Sequence, residues 1–510
     1  MRFAWKWVWA VLLLFCCHAA AQADYSICNY NLHVEPDFLH GTVRVRTTIE
    51  IDNPFLLTAF EFGLDSVYKV SLGNGNPGSQ VKLVEGGIRV EVPHANRTVR
   101  LELLSEGSPG KSTDEERAVI DPDSLFLLWS DRWYPIDFDH WAPVTTTIVL
   151  PNGFLAIAAG RIRSNDLVGN QRTVVFVERN PTVAFSVFAD RRWIEEEHTV
   201  GGFRIRTLLY PESRQWASTI FATSPDVLNF FTQLHGGYWF EQYSFISIQG
   251  IYARRSFNGF VGYSPAYLDK EMSRTGYDAH ETSLLWWDGT TRGSGPGSWQ
   301  WTEGLGDYVE IMYEEARGKP LAPNVVRFRD EYFALSADQD IPYTELQGDT
   351  PQAIIHGKYP WLMYVLRLGV GEESFRCGIR NLFQQYQHRT FTMSEFIATF
   401  ERASGSSLSW WETGWLEQKG ALVASFDSQV VSDRGSYRIR VRLTQRGIAR
   451  RVPAEIGIRT ASGIQKRQVV FPEDGAPVEL ETADQPLEVV FDPDHLLPVR
   501  TAAEEKTVHP

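Results

Sequence analysis

The stretch that decides the fold lies between residues 278 and 307. Residues 278–287 read Asp-Ala-His-Glu-Thr-Ser-Leu-Leu-Trp-Trp, and residues 301–307 read Trp-Thr-Glu-Gly-Leu-Gly-Asp. A histidine followed by glutamate, with a second histidine one helical turn later, places two imidazoles and a general base around one zinc ion. His280 and Glu281 are present, but Leu284 stands at the second histidine position. The function therefore depends on whether the missing ligand means a missing metal.

A second predicted helix supplies the other groups of such a site. Glu303 follows a Gly-rich break at residues 293–297 and returns antiparallel, which is how sites of this kind obtain a further ligand. Asp307 lies one turn beyond Glu303 and is placed to accept a hydrogen bond from the outer nitrogen of His280. Glu281 is the candidate general base for a metal-bound water.

Together these segments resemble the aminopeptidase N family of gluzincin zinc metallopeptidases. The family pattern is H-E-x-x-H-x-W-[WF]-G followed by E-G-[LF]-A-[DE]-Y, and Glu303 falls at the family spacing when counted from Leu284. Shorter similarities extend the resemblance over nearly the whole chain after residue 23. The two segments match the family at His280, Glu281, Trp286, Trp287, Glu303, Gly304, Leu305, Asp307 and Tyr308.

The resemblance implies zinc as the cofactor and Glu281 as the catalytic base. His280 and Glu303 would be metal ligands, with Asp307 behind His280. A catalytic zinc takes three protein ligands and a water, and replacement of the second histidine by Leu284 leaves two. Zinc is thus implied by the family, while the incomplete ligand set weighs against it.

Two further departures from the family pattern concern catalysis and substrate. His356 occupies the position of the family tyrosine that stabilises the oxyanion, or Tyr359 serves that role in a shifted register. The family also grips the substrate's amino terminus with the glutamate of a G-x-M-E-N strand. The corresponding residues 256–263 contain no acid, and the nearest candidates are Asp269 and Glu271.

The composition limits the class of protein and its partners. A chain of 510 residues is too long for one hydrophobic core. The net charge of −14 and the lack of Lys/Arg-rich runs argue against nucleic acid as a partner. Residues 1–23 are predicted to be a signal peptide cut after Ala23, which indicates a secreted or periplasmic protein without a transmembrane segment in the mature chain. Cys28 and Cys377 then remain, either paired or free.

Hydrophobic periodicity divides the mature chain into three parts. Strand-like alternation predicts an N-terminal β-sandwich over residues 24–211, with a hairpin at Asn152-Gly153. Helical patterns follow over 212–420, with helices expected at 271–292, 299–317, 354–368, 372–388, 393–403 and 407–419. Residues 421–500 are predicted to form a small C-terminal β-sandwich, and 501–510 a tail. The fold class is therefore multidomain β + α, with a gluzincin (thermolysin-like) middle domain implied by the resemblance.

Three functions fit these features. The favoured one is a pseudopeptidase whose groove binds a peptide or protein ligand without hydrolysing it. The second is an active aminopeptidase-type metallopeptidase with a rearranged metal site, and the third is a purely structural secreted protein. Without a metal, Glu281 and Glu303 would repel each other, so we expect a carboxyl group of raised pKa there unless His280 is protonated and pairs with it.

Overall fold

The computed structural model describes residues 25–500 except for 74–76, 110–118, 250–253, 337–338, 347–349 and 434. The predicted signal peptide and the predicted tail lie outside the described residues. The chain has several β-sheets flanking a helical middle part, which confirms the predicted multidomain β + α class. None of the described helices is both long and apolar enough to cross a lipid bilayer.

Period-two alternation of apolar residues builds the N-terminal part. Its strands are β1 (Ser26–Asp37), β2 (Thr42–Asp52), β3 (Ala59–Gly63), β4 (Tyr68–Leu72), β5 (Gln80–Val84), β6 (Gly87–Glu91), β7 (Thr98–Gly107), β8 (Val119–Ile120), β9 (Ser124–Leu127), β10 (Ala142–Pro151), β11 (Leu155–Ala158), β12 (Arg161–Val168), β13 (Gln171–Thr182) and β14 (Val187–Asp190). They form sheets in the orders β12-β13-β10-β1-β2-β7-β4, β11-β14-β9-β8 and β3-β6-β5.

The Asn152-Gly153 turn does not close a hairpin, contrary to the prediction. Strand β10 already has partners on both sides, β1 and β13, so β11 cannot add to it. β11 instead pairs with β14 in the four-stranded sheet. The positive φ of Gly153 therefore carries the chain from one sheet to another.

The boundary predicted at residue 211 is also wrong. Strands β15 (Ile194–Val200) and β16 (Phe203–Leu209) pair with β17 (Tyr243–Ser247), β19 (Phe260–Tyr263) and β18 (Arg254–Phe257), in the order β15-β16-β17-β19-β18. This sheet belongs to the middle part, which therefore begins near residue 194. Alternation alone does not reveal which sheet a strand will join.

The middle part contains the helices and most of the core. The helices are α1 (Ala217–His235), α2 (Pro265–Arg274), α3 (His280–Trp287), α4 (Ser298–Ala316), α5 (Ala322–Phe333), α6 (Tyr359–Val370), α7 (Glu372–Tyr386), α8 (Met393–Ser404) and the single turn α9 (Ser409–Trp411). A π-helical turn at Ile354–Lys358 precedes α6, and another at Glu412–Leu416 follows α9. Short parallel strands β20 (Arg292–Ser294) and β21 (Thr390–Thr392) join the loops.

Most predicted helices are present, with two corrections. The single helix predicted at 271–292 is divided into α2 and α3 because Gly276 adopts a positive φ of 73° after α2. Helix α5 was not predicted, since Pro323 and four charged residues obscure its apolar face. Helices α4, α7 and α8 lie within two residues of the predicted bounds.

The C-terminal part is a small two-sheet structure, as predicted. Its strands are β22 (Leu422–Asp433), β23 (Ser436–Arg446), β24 (Val452–Thr460), β25 (Gly463–Phe471), β26 (Val478–Thr482), β27 (Glu488–Phe491) and β28 (Val499–Arg500). They pair in the orders β26-β23-β22-β28 and β25-β24-β27. Cys28 in β1 and Cys377 in α7 are both exposed and free, so the open question of their pairing is answered against a disulfide.

Candidate functional site

Helix α3 begins at the predicted metal motif because Asp278 caps it. Asp278 Oδ1 accepts a hydrogen bond from the Glu281 backbone N–H at 3.1 Å, and Oδ2 accepts one from Thr282 Oγ1 at 3.0 Å. This fixes the first turn, so that His280 and Glu281 enter the site side by side. Trp286 and Trp287 are buried behind the helix, as expected from the sequence.

Helix α4 approaches α3 and the turn before α6 closely at two glycines. A Cβ atom on Gly306 would lie 2.8 Å from Leu284 Cδ2, and one on Gly304 would lie 2.4 Å from Tyr359 Cβ. Leu284 Cδ2 is the end of a flexible side chain and can shift, whereas Tyr359 Cβ cannot, so Gly304 is the position that requires glycine. The close approach brings Glu303 and Asp307 of α4 against His280 of α3.

His280 lies between two carboxylates, although the hydrogen bond predicted from its ring to Asp307 is not formed. Its Nε2 donates to Glu303 Oε1 at 3.0 Å. Its Nδ1 lies 3.0 Å from Asp307 Oδ1 as an ion pair whose angle is unsuitable for a hydrogen bond. Burial and Arg254 oppose a positive charge on the ring, but Asp307 and Glu303 outweigh them, so the pKa of His280 is raised well above its usual value.

The predicted general base, Glu281, is held by an arginine. Glu281 Oε1 lies 3.2 Å from Arg254 Nε and 3.8 Å from His280 Nε2. Burial raises the pKa of Glu281 to about 7, against the opposing effects of His280 and Arg254. The sequence predicted a raised carboxyl pKa from repulsion between Glu281 and Glu303, but burial is the main cause, and Glu303 is paired with His280. Arg254, at the start of β18, was missed because nothing in its sequence context marks it.

Leu284 is buried against α4, with its Cδ2 atom beside Gly306. Its side chain is 7% exposed and lines a small cleft with Trp129, Asn258 and Arg292. It has no lone pair to offer a metal. Only His280 and Glu303 remain as ligands of the family type, and the Arg254 guanidinium is paired with Glu281. These residues do not fit a zinc ion that needs three protein ligands and a water.

His356, and not Tyr359, reaches the site. His356 Nδ1 lies 2.7 Å from Asp307 Oδ2. The His356 side chain also lines a cavity between α2, α4 and α5, called the central cavity below. Burial opposes its charge, but Asp307 more than offsets this and raises the pKa of His356. Tyr359 is only 1% exposed and packs on Gly304, so the alternative of a shifted register is wrong.

Neither candidate for gripping an amino terminus is free to do so. Asp269 accepts hydrogen bonds from Trp216 Nε1 at 3.2 Å and Gln215 Nε2 at 3.4 Å. Glu271 lines the cavity but is paired with Arg274 at 2.6 Å. The described residues of strands β18 and β19 carry no acid.

The cavity beside these residues has a volume of about 690 Å³ and carries both signs of charge. That volume is within the usual range for pockets that hold small ligands. Its basic side chains include Arg254, Lys270 and Arg327, and its acidic ones include Glu310 and Glu331.

One group of described side chains has metal-ligating atoms within mutual reach. It comprises His280, Asp307 and Glu310, whose ligand atoms lie within 4.8 Å of one another. Glu310 Oε2 is 3.7 Å from His280 Nδ1, so this group lies on the opposite side of the ring from Glu303 and Glu281. Glu310 was missed, although its position three residues after Asp307 on α4 places it on the same helix face.

Comparison with known proteins gives a short sequence match and an extensive structural one. No family model matches the chain. Aminopeptidase N of Lactococcus lactis subsp. lactis is 33% identical over 81 residues, which is 16% of this chain and 9% of that protein.

Solved structures resemble most of the chain. Legionella pneumophila aminopeptidase A in complex with aspartic acid superposes with a TM-score of 0.73 at 12% identity, covering 94% of this chain and 59% of that one. A variant of an M1 zinc metallopeptidase from Deinococcus radiodurans, bound to a Tyr-Ser-Ala substrate, gives a TM-score of 0.67 at 16% identity, covering 78% of this chain and 95% of that one. At these identities the likeness is one of fold.

Proposed function

We propose that this aminopeptidase N-like chain, which has the fold of the M1 zinc metallopeptidases, binds peptides in its central cavity without hydrolysing them. One observation carries the proposal. The position of the second metal ligand is Leu284, and the carboxylate that should activate water is instead paired with Arg254 at 3.2 Å.

The missing ligand alone weakens the metal site severely. Loss of an outer partner of a metal ligand already costs about 10–100-fold in metal affinity or activity. Leu284 removes a direct ligand and replaces it with methyl groups, while helix α3 persists because leucine is a good helix former. Leucine at position 284 is therefore compatible with the fold but not with metal-dependent hydrolysis.

The ion pair with Arg254 weakens the second group that hydrolysis requires, because it holds one of the two oxygens of Glu281. A general base must have an oxygen free to take a proton from water. Glu281 Oε1 is engaged by Arg254 Nε, and the Glu281 side chain is 5% exposed. Glu281 thus acts as a structural partner of a buried cation.

The cavity suits a short peptide. It is large enough for a few residues and presents acidic and basic side chains to the two charged ends of such a ligand. The Deinococcus relative holds a tripeptide within the same fold. The signal peptide expected at residues 1–23 makes extracellular or periplasmic peptides the accessible ligands.

The test measures hydrolysis and binding separately on purified mature chain. Aminoacyl-coumarin substrates with added zinc should give no turnover above the blank, whereas Tyr-Ser-Ala should bind in isothermal titration. Ala353→Trp fills the cavity wall and should weaken binding at least about tenfold. Ala461→Trp, the same change in an exposed turn, should not. Turnover by the natural chain contradicts the proposal, and so does equal binding by both variants.

A second candidate function is a metallopeptidase with a rearranged site. It is favoured by the His280, Asp307 and Glu310 group, which could hold a metal through His280 Nδ1. In that case the metal content should fall in Glu310→Gln and stay unchanged in Glu303→Gln. A family-type zinc would show the reverse pattern.

A further inference from the structure

Arg254 brings a permanent positive charge to within 3.2 Å of Glu281, the candidate general base. Its Nε lies 3.2 Å from Glu281 Oε1, and its side chain is 21% exposed at the wall of the central cavity. Its guanidinium also faces Glu310, and it lies over the ring of Tyr267 at 5.7 Å from the centroid. Arginine stays protonated in proteins, so this charge cannot be switched off.

We propose that Arg254 is the resident cation of the site and that it excludes a divalent metal even when the ligand at position 284 is restored. The inference rests on the proposed function and adds a second, independent barrier to metal binding. Leu284 removes a ligand, whereas Arg254 supplies the charge that would otherwise be missing among the carboxylates.

The distances explain why the two cations exclude each other. A zinc ion on His280 Nε2 would lie about 2 Å from that nitrogen. Glu281 Oε1 is 3.8 Å from the same nitrogen and 3.2 Å from Arg254 Nε. The ion and the guanidinium would therefore be within about 9 Å of each other in a buried region, where a double and a single positive charge repel strongly.

The surrounding charges agree with this role. The carboxylates that face the site are Glu281, Glu303, Asp307 and Glu310, and the positively charged groups among them are Arg254, His280 and His356. These charges nearly balance within the chain itself. A metal ion on His280 Nε2 would displace the proton of that nitrogen, whereas Arg254 would remain as a fixed positive charge beside Glu281.

The test compares zinc binding among repaired variants. Leu284→His restores the ligand alone and should bind zinc weakly. Leu284→His with Arg254→Gln should bind zinc roughly 100-fold more tightly, because the repulsion is removed. Leu284→His with Arg254→Lys keeps the charge and should resemble Leu284→His alone. Zinc is measured by elemental analysis after dialysis and by competition with a chromophoric chelator.

Matched controls distinguish the effect of removing the Arg254 charge from the effect of disrupting the fold. Arg255→Gln in the Leu284→His background changes the neighbouring arginine, which lies over Trp129 instead, and should leave zinc affinity unchanged. Circular dichroism and thermal unfolding establish that each variant is folded. Equal zinc affinity in Leu284→His and its Arg254→Gln partner overturns the inference, as does tight binding by the Arg254→Lys variant. Peptide hydrolysis by the natural chain overturns the proposed function instead.

Discussion

At the residue scale, one side chain, Leu284, separates this site from the ligand set of the H-E-x-x-H motif. A second residue, Arg254, also changes the site, because it pairs with Glu281. The sequence alone shows that Leu284 replaces a metal ligand. The role of Arg254 follows only from the structure, in which β18 lies beside α3. The consequence is an ion pair between Arg254 and Glu281, the residue that the sequence marked as the candidate general base.

Glu281 is therefore expected to contribute to stability. Glu281→Gln leaves Arg254 without its closest partner, and breaking such a buried pair should lower the free energy of unfolding by about 2–3 kcal/mol. Urea unfolding at pH 8, above the pKa of about 7 that burial gives Glu281, measures the loss.

The matched control is Glu271→Gln. Glu271 is similarly buried, but its partner Arg274 is 53% exposed, so the cost there should be below about 1 kcal/mol. Active-site residues often reduce stability, so their removal commonly stabilises a protein. A neutral or stabilising effect of Glu281→Gln would contradict a stabilising role for the ion pair with Arg254.

At the element scale, the site depends on how closely α4 approaches its neighbours. Gly304 lies against the turn before α6 and Gly306 against α3. The sequence predicted both motif-bearing segments and the antiparallel return between them. It did not predict the break between α2 and α3, because a single glycine with positive φ decides it.

Gly304→Ala tests this approach. The new methyl group would lie 2.4 Å from Tyr359 Cβ and 2.9 Å from the Ile355 carbonyl oxygen, neither of which can move away easily. The clash should cost about 3 kcal/mol, outweighing the better helix propensity of alanine. Gly414→Ala is the control, since its nearest neighbour is 3.8 Å away. Equal melting temperatures for the two variants would contradict this packing.

Strand β13 carries a pH-dependent element outside the site. Burial raises the pKa of Glu178 to about 7, and its Oε2 has no hydrogen-bond partner. The unfolded carboxyl titrates near 4.3. The folded state thus holds a proton that the unfolded state has lost, and this stabilisation disappears as the pH rises through about 7.

Glu178→Gln should therefore stabilise the chain at pH 8 by about 1–3 kcal/mol and have little effect near pH 4. Unfolding curves at the two pH values measure the difference. Glu473→Gln, in an exposed turn, should show no such pH dependence. Destabilisation of Glu178→Gln at pH 8 would contradict the buried, unpaired carboxyl.

At the scale of the whole molecule, the sequence predicted the three-part architecture but not the boundary between the first two parts or the strand pairing near it. Alternation identified β15 and β16 as strands, yet their pairing with β17 moved the start of the middle part to about residue 194. The Asn152-Gly153 turn was recognised, but the existing partners of β10 prevented a hairpin. Local patterns specify elements, whereas the choice of partner depends on contacts distant in sequence.

The same distinction holds for the site. His280, Glu281, Glu303 and Asp307 meet as predicted because they belong to two motif-bearing helices. Arg254 lies on a strand with no recognisable motif. Its position beside Glu281 could be known only from the order of the strands in the sheet. The predicted residues belong to the motif-bearing helices, and the residue that was not predicted supplies the cation that pairs with Glu281.

The most direct test of the account is the zinc content of the purified mature natural chain, measured together with aminoacyl-coumarin hydrolysis. We expect far less than one zinc per chain after dialysis and no turnover when zinc is added back. One zinc per chain, lost in Glu303→Gln and accompanied by turnover, would contradict it.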